Sequence, residues 1–251
     1  DPDHIHADAR DRDNLLEAIN HYFPEARITP EDIVSSWCGV RPLVAPDAEM
    51  SASKVSREHV IREQPRGLLA IAGGKLTTYR LMAAELVDRA TRLLQRDGRS
   101  EKVPASETRD RPLPGAVSLK DQADIDRLAS TLTNDHKLTP AVASHLANTY
   151  GSRAEELLCD VTAEELAPLR PQLPYVWAEL DYAVRNEHAR TLEDFFARRT
   201  QLLLRDPEGC LTVCEAVATR MAELLGWDDA TGQDQQAALA AEVHDTLRCR
   251  D

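Results

Sequence analysis

Lys75 follows two glycines, Gly73 and Gly74, that close the short apolar run of residues 68–72 and precede the hydroxyls of Thr77 and Thr78. Those residue types in that order can hold an anion. Glycine lets a backbone approach a ligand closely, a helix N-terminus offers unpaired N–H groups and a positive dipole end, and lysine adds a full charge. The apolar run reads as a strand buried on both faces. Thr77 or Thr78 is then expected to cap a helix over residues 77–95, with Met82, Leu86, Ala90, Leu93 and Leu94 on one face. On these grounds alone the stretch is either an anion or cofactor site without an identity or an ordinary tight strand-to-helix turn.

Arg41 is the second residue with chemical potential. It lies between Val40 and Leu43 in an otherwise apolar segment, so a buried guanidinium there needs an anionic partner. That partner is either a carboxylate of the fold or a ligand phosphate, whose oxygens an arginine fork grips with two bonds. His59, in Ser56-Arg57-Glu58-His59, is either a structural hydrogen-bonding residue or a catalytic one, with the structural role favoured. No metal site is expected. The five cysteines (Cys38, Cys159, Cys210, Cys214 and Cys249) are scattered, and Cys210 and Cys214, one helical turn apart, have no further ligand pair to complete a zinc site.

The elements that must position these groups fall in two parts. Residues 14–23 read as a short amphipathic helix after an exposed polar lead-in, Pro24 stops it, and Thr29-Pro30-Glu31-Asp32 is a helix-start signature. Residues 33–44 read as a strand, and residues 55–64 as an edge strand that the turn Pro65-Arg66-Gly67 joins to the central run as a hairpin. Residues 97–115 hold three prolines and many charges without apolar periodicity, and so form a linker. Beyond it the periodicity is helical, with candidates over 118–132, 140–150, 153–159, 173–186, 191–204, 207–225 and 233–247. The 251 residues suffice for one large or two ordinary domains. A formal charge of -13 excludes a nucleic-acid surface, and no apolar run reaches membrane-spanning length.

Three segments taken together carry more. Gly39-Val40-Arg41-Pro42-Leu43, Ser56-Arg57-Glu58-His59 and Gly73-Gly74-Lys75-Leu76-Thr77-Thr78-Tyr79-Arg80 occur in that order. The set resembles the C-terminal half of FAD-dependent (respiratory, aerobic-type) glycerol-3-phosphate dehydrogenases, from about Leu15 to about Leu225. Asp181-Tyr182-Ala183-Val184-Arg185-Asn186-Glu187 and Leu192-Glu193-Asp194, followed by Arg198-Arg199-Thr200, resemble that family's C-terminal helical domain. In physical terms Asp181 with Arg185 and Asp194 with Arg198 are favourable i,i+4 pairs, and this charge set reads as structural, with a charged catalytic site as the lesser alternative.

The resemblance implies an α+β chain with three parts. Residues 1–96 would be the C-terminal part of a Rossmann-type FAD-binding and substrate domain, 97–117 a linker, and 118–251 an all-α C-terminal domain. It implies FAD as cofactor, with Gly73, Gly74, Lys75, Leu76 and Thr77 lining the isoalloxazine. Arg41 and Lys75 would bind substrate and serve catalysis in the oxidation of sn-glycerol 3-phosphate to dihydroxyacetone phosphate. The family's general-base histidine comes from the other half. No Gly-x-Gly-x-x-Gly pyrophosphate turn occurs in this chain, so the 251 residues alone are expected to be inactive and not to hold FAD. A quinone is the implied electron acceptor; oxygen, as in an alpha-glycerophosphate oxidase, and a non-catalytic helical interaction module stay open as alternatives. The expected location is cytoplasmic, with peripheral contact on the inner membrane and a homodimer as further options.

Overall fold

A computed structural model describes residues 5–40, 59–99 and 103–250. The described residues are α+β and mostly helical, with one small two-stranded sheet. It forms two compact units, one of Gly39–Leu113 and one of Asp1–Cys38 with Pro114–Asp251.

The smaller unit is a hairpin followed by a helix. Strand β1 (His59–Gln64) pairs antiparallel with β2 (Leu68–Gly73), in a register that sets His59 opposite Gly73 and Gln64 opposite Leu68. The Pro65–Gly67 turn joins them, as the proline–glycine pair predicts. Helix α2 (Tyr79–Arg96) follows. Two expectations are corrected here. Strand β2 is not buried on both faces: burial alternates along it, and Leu68 is 62% exposed, because among the described residues of this unit α2 is the helix packed against it. Thr78 occupies the cap position of α2 but its side chain caps nothing; its hydroxyl donates instead to the Lys75 carbonyl at 2.9 Å. Among the described residues none before Leu132 is buried.

The larger unit begins with α1 (Ala9–Tyr22), which starts five residues earlier than the apolar pattern because Asp8 and Asp11 form a reciprocal capping box. Thr29 and Pro30 start only a single 3-10 turn. The described residues of the expected strand, 33–40, are not a strand. They pair with no strand among the described residues, and their backbone bonds go elsewhere: Ser36 N–H donates to the Thr246 carbonyl at 2.9 Å, and Arg250 donates to the Ile33 and Val34 carbonyls at 2.7 and 3.0 Å.

The helices that follow are α3 (Gln122–His136), α4 (Pro140–Tyr150), α5 (Ala154–Leu157), α6 (Ala178–Asn186), α7 (Leu202–Arg205), α8 (Pro207–Leu225) and α9 (Asp229–Leu247). Between α6 and α7, residues Asp194–Arg199 form a π-helix. The start expected at Ser118 is wrong: Ser118 takes a φ of 67°, and Asp121 caps α3. Two hydrophobic clusters form the interior. One joins Leu132, Leu146, Tyr150, Leu157, Val176 and Tyr182; the other joins Leu180, Leu192, Phe195, Phe196, Val217, Met221 and Leu239. Helix α6 contributes to both. Cys210 and Cys214 are buried in the second, as packing residues, and burial pushes the Cys210 thiol up to about 12, so it stays protonated and inert.

Carboxylates at helix starts make this unit acid-sensitive. Hydrogen bonds from Thr231 hold Asp228, the cap of α9, below the ordinary carboxylate range. Burial alone would raise Asp194, but bonds donated by Arg190 and Thr191 outweigh it and leave that group lowered too. A lowered folded pKa favours the ionised folded state above the unfolded pKa of about 3.9, and that stability is lost as pH falls through the folded value. Chemical denaturation midpoints are therefore expected to hold from pH 7 to 5 and fall below pH 4. Asp228→Asn with Asp194→Asn should flatten that fall, and an unchanged acid limb would refute the assignment.

Candidate functional site

The residues singled out at the double glycine lie on one exposed turn. Gly73 and Gly74 have φ of 80° and 78°, a region that side-chain-bearing residues rarely adopt. The chain then passes through Lys75 into a 3-10 turn, Leu76–Thr78, and on into α2. Lys75, Leu76 and Thr77 are all exposed, Leu76 by 87%. The turn thus presents two permissive backbone positions, one cation and one bare apolar side chain on the same short stretch.

Four side chains, Met82, His59, Thr78 and Glu85, hold this turn, and of these sequence reasoning passed over Glu85. A Cβ placed on Gly74 would lie 2.5 Å from the Met82 sulfur and 3.2 Å from the His59 Cβ. A side chain at Gly74 would have to displace the flexible end of Met82 and press on the His59 Cβ, so close packing against α2 and β1 adds to the constraint of its backbone angle. The Thr78 hydroxyl lies 3.5 Å from the same sulfur while donating to Lys75 O. His59 Nε2 is 2.7 Å from Glu85 Oε2, one turn further along α2 from Met82. The i,i+3 step from Met82 to Glu85 was the available signal: both must face the hairpin if either does. Arg41, together with Ser56, Arg57 and Glu58, lies outside the described residues.

A cleft of about 920 Å³ lies between α2 and residues 103–113, lined by Ala83, Ala84, Val87, Thr91, Val103 and Leu113 among others. It includes neither glycine, nor Lys75, Leu76 or Thr77. Cavity size therefore does not mark the turn; its chemistry does. Among the described residues no group of histidines, cysteines or carboxylates could hold a metal ion, and no helix is long and apolar enough to cross a membrane.

The charged residues of the helical unit form a second cluster with a different character. The Glu179 side chain is wholly buried and accepts from the Val176 N–H at 2.8 Å and the Tyr150 hydroxyl at 3.0 Å, with His145 Nε2 at 2.8 Å. Burial and the charge of Glu179 push the Tyr150 phenol far above its ordinary range, so it remains a donor. Asp181 binds the Arg220 fork at 2.9 and 2.8 Å and Arg185 at 3.0 Å; Asp194 binds Arg198 at 2.9 Å. Arg199 donates twice to the Glu187 carbonyl, at 3.0 and 2.6 Å. Every contact named here ties one helix or loop to another within the unit or along the same helix. This is the geometry of a scaffold.

Comparison with known proteins places this architecture. Residues 106–232 match the family described as the C-terminal domain of alpha-glycerophosphate oxidase. The aerobic glycerol-3-phosphate dehydrogenase of Staphylococcus saprophyticus is 37% identical over 88% of this chain and 40% of its own length. The Bacillus subtilis enzyme of the same name is 32% identical over 98% of this chain and 44% of its own length. The X-ray structure of the glycerol-3-phosphate dehydrogenase from Bacillus halodurans complexed with FAD superposes with a TM-score of 0.78 at 29% identity, over 98% of this chain and 47% of that one. The chain belongs to the alpha-glycerophosphate oxidase C-terminal domain family, and its resemblance to the C-terminal half of FAD-dependent glycerol-3-phosphate dehydrogenases holds along nearly its whole length. It spans a little under half the length of these relatives.

Proposed function

We propose that this chain supplies the flavin-facing turn and the helical C-terminal domain of an FAD-dependent enzyme that oxidises sn-glycerol 3-phosphate to dihydroxyacetone phosphate. The observation that carries the reading is the exposed turn from Gly73 to Thr77, with two glycines at positive φ and a lysine, in a chain similar end to end to an FAD-complexed dehydrogenase. The residues fit a ring system on that side. The glycines let the backbone come close, Leu76 offers apolar surface, and Lys75 supplies charge for a substrate oxygen or the electron-rich edge of the ring. Arg41 is the candidate for the substrate phosphate. The chemistry that bound FAD supplies is hydride acceptance at N5 from the substrate's C2 carbon.

In the complete protein, residues 1–96 would close a Rossmann-type flavin and substrate domain, and residues 118–251 would form the appended helical domain after the 97–117 linker. The half-covered faces of β2 and α2 would be packed there by the remainder of that domain. The pyrophosphate turn also lies outside this sequence, so the 251-residue chain alone is inactive and does not retain FAD. Quinone is the proposed acceptor. An oxidase passing electrons to oxygen is the second reading, favoured by the description of the matching family.

The test is made on the complete protein. Purified wild type is expected to carry flavin and to reduce a quinone analogue with glycerol 3-phosphate faster than it forms peroxide. Lys75→Ala is expected to lower kcat/KM on the order of a hundredfold. A flavin-free wild type, or a Lys75→Ala variant with unchanged kinetics, would overturn the assignment.

A further inference from the structure

The geometry points to His59 and Glu85 as positioning residues that aim the Gly73–Gly74–Lys75 turn at the cofactor, a role that rests on the flavin-facing reading of that turn. His59 stands opposite Gly73 in the hairpin register, and its Cβ packs beneath Gly74, 3.2 Å from where a side chain there would begin. Its ring reaches past the turn to Glu85 on α2 at 2.7 Å. The pair therefore spans from the strand before the turn to the helix after it. Met82, gripped by the space Gly74 leaves and by the Thr78 hydroxyl, closes the same bracket from the helix side.

A turn of three residues between a strand and a helix can swing about its glycines, since both adopt angles that permit wide excursions. Two ties remove that freedom: the Thr78 bond to Lys75 O, which fixes the turn to the helix start, and the His59–Glu85 bond, which fixes the helix to the hairpin. The groups facing the His59 ring from each packed element bear on the second tie. Glu85 is on α2; Glu63, further along β1, is drawn to Arg89 and Arg96 at 3.8 Å each and leaves Glu85 to the histidine. The two residues touch neither substrate nor ring in this reading; they act through the backbone between them.

The experiment uses the complete flavin-loaded protein with three variants, Glu85→Ala, Glu85→Gln and His59→Ala. Glu85→Gln keeps an acceptor for the His59 ring and should retain wild-type behaviour. Glu85→Ala and His59→Ala should lower kcat on the order of tenfold with KM for glycerol 3-phosphate little changed. Both should also displace the flavin's absorption bands and midpoint potential, which a merely stabilising contact would not move once the protein is folded and loaded. If Glu85→Ala does not fold with flavin, His59→Asn gives the same reading by potential alone, against Glu85→Gln as the unshifted reference. Wild-type flavin bands, potential and kcat in both alanine variants would overturn the positioning role while leaving the flavin-facing turn intact. A wild type that binds no flavin would overturn both.

Discussion

Glu179→Ala is expected to destabilise the helical unit by about 3 kcal/mol, read as a lowered denaturation midpoint at unchanged m-value. The carboxylate is fully buried and is the shared acceptor for His145, Tyr150 and the Val176 N–H, so its removal strands three donors in the interior. Glu179→Gln should fall between: its oxygen can still accept from Tyr150 and His145, but its NH₂ then faces the Val176 N–H, donor against donor. Tyr182→Phe is the control in the same neighbourhood. The Tyr182 hydroxyl is buried with no well-formed hydrogen bond among the described residues, only the neighbourhood of Arg153, and its ring packs edge-on to Tyr150, so the change should be small. A loss below about 1 kcal/mol in Glu179→Ala would show that the cluster is not what holds α4 to α6.

Gly151→Ala should cost roughly 3 kcal/mol, although it adds a single methyl group. Gly151 ends α4 at φ 55° and ψ -135°, a region almost closed to other residues, and a Cβ there would run into the Gly115 carbonyl. The contact is backbone on backbone and cannot relax by turning a side chain. Gly115 has the reciprocal constraint: its φ is 87° and its own Cβ would come 2.6 Å from the Tyr150 carbonyl. The Ser152 N–H donates to Gly115 O at 2.8 Å across the same junction. Ala in place of Gly226, whose φ is also positive but whose Cβ would meet open space, should cost much less. Equal losses at the two positions would refute the close-approach argument.

Where the sequence carried its own punctuation, the structure follows it. Thr139-Pro140 with Gly151, and Asp206-Pro207 with Gly226, bound α4 and α8 at the residues expected, because cap, first-turn proline and terminal glycine act locally. The hairpin was legible for the same reason, through Pro65-Arg66-Gly67 between two β-type runs. What failed depends on distant partners. An apolar run states that it will be covered but not by what, so residues 33–40 and the second face of β2 were misread. Ser118 carries a capping hydroxyl, but a positive φ takes it out of use and Asp121 does the work three residues on. At the candidate site the turn itself was read from residue types alone. Its supports, His59 with Glu85 and Met82 with Gly74, are contacts between segments that spacing within one helix cannot show. Glu179 stays hidden in the sequence, since nothing local says which of Glu179 and Asp181 turns inward.

Helix α6 has a consequence for the order of events when the chain is made. Its Ala178 and Tyr182 finish the cluster begun at Leu132, while its Leu180, Ala183 and Val184 extend the one that runs from Leu169 to Val243. As synthesis proceeds from the N-terminus, α3, α4 and α5 emerge with Leu132, Leu146 and Leu157 still uncovered, and they wait for Val176 to Tyr182 before they can close. The second cluster, opened by Leu169 and Tyr175, takes three residues from the same helix. A nascent chain that has not released α6 would lack part of both interiors, whereas one that has released it could close the first while the second still waits for α8 and α9, so the nine residues of α6 link the closing of one interior to the building of the other.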